Sequence, residues 1–337
     1  MSDLANWQGR YFMFATDSIT ATGTTNGTYG ENKGVVYLKN NPAFEPNLEL
    51  VNNQKSTGYP FPVRSGTTNI ERAIGTKAPS VTYEFDFDAG AAYIPLLTLF
   101  QTANAVTGDT FNKVFAPYSI AQVSKYAVLY RQMEDGVNQV IPGAIARSIT
   151  ISGEEGGSVS MSVEWAGSDF LTDNNATPDF TITDSEGLDF VMFHDLDFAY
   201  NTTGTTIDVV GFEITITNNV FGRHYDNQAI QKWLLGRLEI TGTLRFPWGE
   251  SNIGANTIFQ KHLNQEDFII HIWKGHYLKD DSGSQGDMTI VLNLQPENIT
   301  TNTEDEITNE LSFSAIYDGT NQPIEIYLYD GINREDY

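Results

Sequence analysis

Val81-Thr82-Tyr83-Glu84-Phe85-Asp86-Phe87 alternates apolar and polar residues at every step. Val81, Tyr83, Phe85 and Phe87 share one face; Thr82, Glu84 and Asp86 share the other. Period two is the pattern of a strand buried on one side and wet on the other. Similar runs recur at 126–132, 145–151, 158–165, 190–200, 207–217, 237–246, 268–278, 287–294, 310–317 and 324–329. Turns rich in Gly, Asn, Asp and Thr separate them, among them Glu154-Glu155-Gly156-Gly157. Two stretches read as helix. In 91–102, Tyr93, Leu96, Leu97 and Phe100 share a face, with Pro95 placed in the first turn. In 255–264 the face is Ile258, Phe259, His262 and Leu263. The fold class is mainly β, with two short helices.

The order of elements repeats. A polar stretch, 54–78, leads into strand 79–88, a helix, a strand at 126–132, and a strand pair at 145–151 and 158–165. A second polar stretch, 218–236, leads into strand 237–246, a helix, a strand at 268–278, and a pair at 287–294 and 310–317. A shift of 159 places Val81, Phe85 and Phe87 on Ile240, Leu244 and Phe246, with Tyr83 on Gly242. The polar segment 171–187 divides the copies, giving domains 1–185 and 186–337. Both polar stretches are short of apolar residues, so they are expected to become ordered only on assembly.

The 337 residues contain no cysteine and carry a net charge of −24. Thiolate metal sites, disulfides and thiol nucleophiles are excluded. No apolar run reaches the ~18 residues that span a bilayer. The opening MSDLANWQGRYFMFA lacks a signal peptide's positive start, so a soluble, unexported chain is expected. Such acidity disfavours wrapping nucleic acid, which needs Lys and Arg against phosphate. The charge is uneven. Segment 54–78 is net +3, from Lys55, Arg64, Arg72 and Lys77 against Glu71. Segment 221–245 is net +2, from Arg223, Lys232, Arg237 and Arg245 against Asp226 and Glu239. The remainder therefore carries −29. Two basic projections in the same slot on an acidic body suit self-association, and those eight cations are the candidate assembly residues.

Catalytic signatures are missing: there is no G-x-S-x-G, Walker A, H-E-x-x-H or G-x-G-x-x-G. His271 and His276 are five apart on a strand-like run and point to opposite faces. His262 on an apolar helix face reads as a boundary histidine. Glu84, Asp86 and Asp88 could mimic a glycosidase pair, but the second copy has Thr243, Arg245 and Pro247 there, so they read as a solvated acidic face. The loop 280–287 has oxygen ligands at calcium-like spacing but no closing Glu, and reads as a hairpin connection. No enzyme activity, cofactor or metal is expected.

Gly143-Ala144-Ile145-Ala146-Arg147-Ser148-Ile149-Thr150-Ile151-Ser152-Gly153, followed by Gly157-Ser158-Val159-Ser160-Met161-Ser162-Val163-Glu164-Trp165-Ala166-Gly167, resembles the tail tube proteins of long-tailed bacteriophages. Val209-Val210-Gly211-Phe212-Glu213-Ile214-Thr215-Ile216-Thr217-Asn218-Asn219 resembles the strand that opens the later module of their longer forms. The resemblance covers 55–170 and 207–330. It implies two tandem β-sandwich tube modules, each with a flanking helix and a projecting arm. Neighbouring modules would join into a barrel, and rings would stack into a virion tail tube, assembled in the host cytoplasm, with other tail proteins at its ends. DNA would pass through the lumen without specific binding. Six modules per ring, two to a chain, imply homotrimeric rings. The competing reading is a β-rich surface adhesin, which has no need of a basic arm in the same slot twice.

Overall fold

The computed structural model describes residues 10–20, 33–36, 38–40, 42, 44, 48–52, 72–106, 109–117, 123–132, 138–173, 190–247, 253–280, 283–284, 286–302 and 307–329. The first half runs β1 (Arg10–Thr16), β2 (Lys33–Val36), β3 (Leu48–Asn52), β4 (Arg72–Lys77), β5 (Ser80–Asp86), helix α1 (Ala89–Phe100), β6 (Asn104–Val106), β7 (Asp109–Phe115), β8 (Tyr126–Gln132), β9 (Asn138–Glu154), β10 (Ser160–Ala166) and β11 (Leu171–Asp173). The second runs β12 (Leu196–Tyr200), β13 (Gly211–Asn218), β14 (Phe221–Arg223), β15 (Lys232–Leu234), β16 (Leu238–Pro247), helix α2 (Ile253–Asn264), β17 (Phe268–Lys274), β18 (Asp287–Asn302), β19 (Thr308–Ala315) and β20 (Ile324–Tyr329). The fold is mainly β, as the alternating runs require.

Two strands exceed their sequence signal. β9 has 17 residues and β18 has 16. The first part of β9 pairs with β8 and β11, and its last part pairs with β10 and β13. Pro142 and Gly143 punctuate β9 in the sequence and hide this continuity. The structure absorbs them in a register shift against β8, between Ala127 and Leu129. Gly143 sits at φ +55, where a Cβ would come within 2.4 Å of the Ile19 carbonyl oxygen.

The strand order β5, β10, β9, β13, β16, β19, β18 forms one antiparallel sheet that crosses both halves. Within it one pairing plan occurs twice. β5–β10–β9 is matched by β16–β19–β18. β9 continues to β8 and β11, and β8 to β1; β18 continues to β17 and β20, and β17 to β12. Even the irregularities correspond. β9 inserts Arg147 as an extra residue between the pairs Trp165–Ala146 and Glu164–Ser148. β18 inserts Glu297 between Phe313–Pro296 and Ser312–Asn298. Partner strands set the offset: Val81 faces Trp165 as Gly242 faces Phe313, a shift of 161 rather than the 159 read from sequence. The difference is even, so the inward phase survives.

The inward residues of both halves enter one core cluster that runs from Tyr11 to Leu328. Trp165, Tyr83, Phe85 and Phe87 are all below 2% exposed, with Tyr83 edge-on to Trp165 at 6.3 Å. Helix α1 lies inside this core. Asp88 caps it, its Oδ1 accepting from Gly90 N at 2.9 Å and Ala91 N at 3.1 Å. Gln101 ends it in the left-handed region at φ 63. Every residue of α1 but Gly90 is buried, so the one-sided face read from the sequence is wrapped on all sides. Pro95 lies mid-helix rather than in the first turn, because the helix starts at Ala89. Asp88 is thereby a cap and not part of a solvated acidic face. On α2, by contrast, Phe259 and Leu263 are 38% and 58% exposed.

The two arms are small sheets of their own, β3–β4 and β14–β15. Residues 53–71 of the first lie outside the described residues. The second is held within the chain, contrary to the expectation that it orders only on assembly. Val220, Ile230 and Trp233 pack with Tyr126, Ile145 and Ala166 beside the middle of β9 and the end of β10. The Trp233 indole donates to the Gly143 carbonyl at 2.9 Å, and Ile230 N donates to Ser168 O at 2.8 Å. Three apolar residues suffice because a preformed slot receives them.

Trp233→Ala removes a side chain only 3% exposed together with its hydrogen bond. A loss of about 3–5 kcal/mol of local stability is expected. Hydrogen exchange should show amides in 221–234 losing protection while β9 and β10 keep theirs.

Candidate functional site

The outward face of the seven-stranded sheet is lined almost wholly by hydroxyls and carboxylates. One row across it reads Asp86, Ser160, Ser152, Glu213, Thr243, Ser312 and Asn298. The next reads Glu84, Ser162, Thr150, Thr215, Thr241, Ser314 and Gln295. A third begins Thr82, Glu164, Ser148, Thr217 and Glu239. The same alternation that buries Ile149, Ile151, Ile214 and Ile216 completely turns these residues outward. Burial of each Ile is worth about 1.5–3 kcal/mol, so a one-residue slip is heavily penalised.

Many hydroxyls on this face are occupied with one another. Ser148 meets Thr217 at 3.2 Å, Thr150 meets Thr215 at 3.1 Å, and Ser152 meets Ser160 at 3.1 Å. Such rungs contribute about 0.2–1 kcal/mol each. Cations at the face are neutralised. Arg147, turned outward by the bulge, lies 3.4 Å from Glu164. Arg245 pairs with Glu154. Lys39 lies 2.5 Å from Asp86, which also accepts from the Ser158 hydroxyl. Partial burial pushes the Asp86 carboxyl up, but Lys39 and Ser158 outweigh it and hold it below the ordinary carboxylate range. Arg147, Arg245 and Lys39 on this face thus each have a carboxylate partner.

The eight sequence-derived assembly cations fall into different places. Lys55 and Arg64 lie outside the described residues. Arg72 opens β4 opposite Asn52. Lys77 is tied to Asp169 at 2.7 Å. Arg223 and Lys232 face each other across the second arm, and Arg223 stands 5.6 Å over the Phe221 ring. Arg237 is exposed where the arm returns to β16. Arg245 is not on the arm at all; it belongs to the hydroxyl and carboxylate face. Sequence reasoning left open which strand face matters, since the alternating Ser and Thr of β9, β10 and β13 show their common side only once the register is known.

The histidines are drawn into local structure. His271 Nδ1 and the Tyr277 hydroxyl are 2.7 Å apart, with burial holding the imidazole below and the phenol above their usual ranges. His276 Nδ1 lies 2.7 Å from Asp287, whose carboxylate also accepts from Ser284 N at 2.8 Å. Asp287 thus closes the turn before β18. Residues 281, 282 and 285 of the calcium-like loop lie outside the described residues.

A family model for "Phage tail tube protein" matches residues 14–325 of the chain. No curated protein sequence matches it. One similar solved structure is the hybrid structure of the SPP1 tail tube by solid-state NMR and cryo EM. It shares 10% sequence identity, with 41% of this chain and 79% of that chain covered and a TM-score of 0.27.

The Lys39–Asp86 link makes a pH-dependent contribution. Its folded carboxyl lies below the ordinary value, so the contribution is present above the ordinary carboxylate range and fades as pH falls through the lowered one. Lys39→Met should raise the Asp86 titration midpoint and move the acid limb of unfolding to higher pH. Carboxyl-resolved NMR and an acid titration followed by circular dichroism measure the two effects.

Proposed function

The chain belongs to the phage tail tube protein family, and from that premise we propose that copies of it close into rings that stack as the tail tube, with the hydroxyl and carboxylate face lining the channel. One observation carries the reading: a single antiparallel sheet, polar on one side, with no strand beside the last part of β18 and only the isolated Leu38–Phe85 bridge beside β5 among the described residues. Its two margins are the last part of β18 and the outer side of β5. Exposed edges of this kind recruit further strands. Joining the β18 edge of one copy to the β5 side of the next continues the sheet, and closure removes both of these margins.

The junction has a precedent inside the chain. β13 bridges β9 to β16, and just before it Val210 N donates to Arg245 O at 2.9 Å. In the first half Lys39 N donates to Glu84 O at 2.6 Å, the corresponding point beside β5. The stretch beginning at Leu38 is thus placed to take the role of β13 against the β18 of a neighbouring copy.

The repeated pairing plan and the repeated bulge support two tube modules per chain, 1–185 and 186–337. Three chains then supply six modules, since a ring closes only when copies times modules equals the number it holds. The arms, with Arg223, Lys232 and Arg237 unclaimed by any ion pair among the described residues, are placed to meet acidic surface of the adjoining ring. A channel for DNA needs walls that do not hold phosphate. Carboxylates repel it, one hydroxyl of each pair has its proton committed to the other, and Arg147 and Arg245 already have partners. Localisation in the virion tail follows, with DNA entering the host cell through the lumen and the tube ends capped by other tail proteins.

Cryo-electron microscopy of assembled material is expected to show strict threefold, pseudo-sixfold rings. Six identical chains per ring would refute the two-module reading.

The lining assignment makes a separate prediction. Thr150→Lys combined with Thr215→Lys puts two unpaired cations at the centre of the face. Tubes of this variant should retain linear duplex DNA at low salt, with the log of affinity falling about 0.9 per added phosphate contact as log salt rises. Tubes of the unaltered chain should not retain it. Identical behaviour of the two would move the channel to another face.

A further inference from the structure

The two helices stand in the same slot of the element order but differ in what covers them. Each has 12 residues, and the sixth of each, Ile94 and Ile258, is buried. Counted in step, Pro95 corresponds to Phe259 and Leu99 to Leu263. Pro95 and Leu99 are buried; Phe259 and Leu263, one turn apart on a single face, are exposed. Part of the cover on α1 comes from across the junction between the halves. α1 lies against β7 and β20 as well as against β1, β2, β8 and β9. The Tyr93 ring meets the Phe115 ring edge-on, centroids 5.4 Å apart, and Phe115 pairs with Ile326 of β20. Asn218, the last residue of the junction strand β13, donates from its side-chain amide to Leu99 O at 3.2 Å. The sheet of the second half thus closes over the helix of the first. Among the described elements, α2 has β18 as its chief neighbour.

We propose that the exposed strip of α2, Phe259 and Leu263, seats the β11 margin of a second copy of the chain, with Phe170 as its apolar contact. The inference rests on the ring reading above and specifies one of its contacts. The junction already inside the chain identifies the occupant. There the upstream half ends at β9, the downstream half begins at β16, and the upstream helix meets the downstream strand β20. Joining β18 to the β5 side of the next copy repeats that arrangement with α2 as the upstream helix. β20 pairs along the first part of β18, as β11 pairs along the first part of β9. β11 of the next copy therefore stands to α2 as β20 stands to α1. Phe170, next to β11, is partly exposed and packs on the main core, the side of the sheet that Ile326 also takes; Leu171 turns to the other side. The place is also left open. β7, which covers β20, comes from residues 101–125 between α1 and β8, whereas only 265–267 separate α2 from β17. The second half has no such hairpin to lay over a neighbour's β11, and no described strand pairs with the outer side of β11. Each copy carries one bare helix face and one bare strand margin, and a head-to-tail contact between them repeats around a closed ring.

The chain has no cysteine, so introduced thiols are unique. Leu263→Cys and Thr172→Cys, both at exposed positions, are made in separate chains. Thr172 lies two residues beyond Phe170 and shares its side of the strand. The two variants are mixed, assembled, inspected by electron microscopy, treated with a short bismaleimide and digested. The expected product joins a peptide containing position 263 to one containing position 172, and is lost when the sample is diluted to single chains. Rings that form without that product, or that join 263 to 263 instead, would overturn the helix assignment and leave the tube reading standing. If the unaltered chain forms no ring under any condition, both fall together. Leu263→Asp supplies a second readout. Its circular dichroism and melting should match those of the unaltered chain, because the side chain is solvent-exposed. Ring yield at fixed concentration should fall roughly tenfold, since an unpaired carboxylate is costly to bury at an apolar contact. Leu263→Met should assemble like the unaltered chain. Full ring yield from Leu263→Asp would overturn the proposal.

Discussion

The alternation along β9 is the constraint on which the rest of the structure depends. This one strand pairs with four others and is shared between two regions of sheet. Its last part must send Ile149 and Ile151 into the core and Ser148, Thr150 and Ser152 outward. With that phase set, β10, β13, β16 and β19 inherit theirs through the ladder, because residues opposite one another share a face. The core and the polar face are two sides of a single choice of register. Moving either moves both.

The polar face owes its character to residue choice as well as to phase. Serine and threonine bond across the strands and leave a surface that is wet but not adhesive. Carboxylates among them add repulsion toward other anions. The bulges matter here, since each adds an outward residue without disturbing the inward rows. One copy of the bulge contributes Arg147, answered by Glu164 3.4 Å away; the other contributes Glu297.

The same order of strand pairing occurs in both halves, but the two helices are covered differently. Helix α1 is buried on all sides, while α2 keeps Phe259 and Leu263 in view. Part of the cover comes from β7, which pairs with β20 and so ties the first half to the second. Gly242 shows the same divergence at the scale of one residue. A Cβ there would lie 2.6 Å from the Phe313 ring, so the second half gives space to a phenylalanine where the first sets Val81 against Trp165. Each substitution keeps the inward phase and refits the volume.

The sequence by itself determined the class of fold, most of the strands, both helices, the inward residues of β5 and β16, and the family resemblance. These are local properties: alternation, turn residues and helical spacing are written within a few residues of where they act. Only the tertiary structure decided the rest. It showed that β9 runs through Pro142 and Gly143, because a register shift against β8 accommodates them. It turned Asp88 from a surface acid into a cap, and placed Arg245 on the sheet face beside Glu154. It paired Val81 with Trp165 and Gly242 with Phe313, Val81 and Gly242 lying 161 apart in the chain. And it seated the second arm on the first half through Val220, Ile230 and Trp233. Each of these depends on a partner distant in the chain, and a contact between distant residues leaves no local pattern from which to read it.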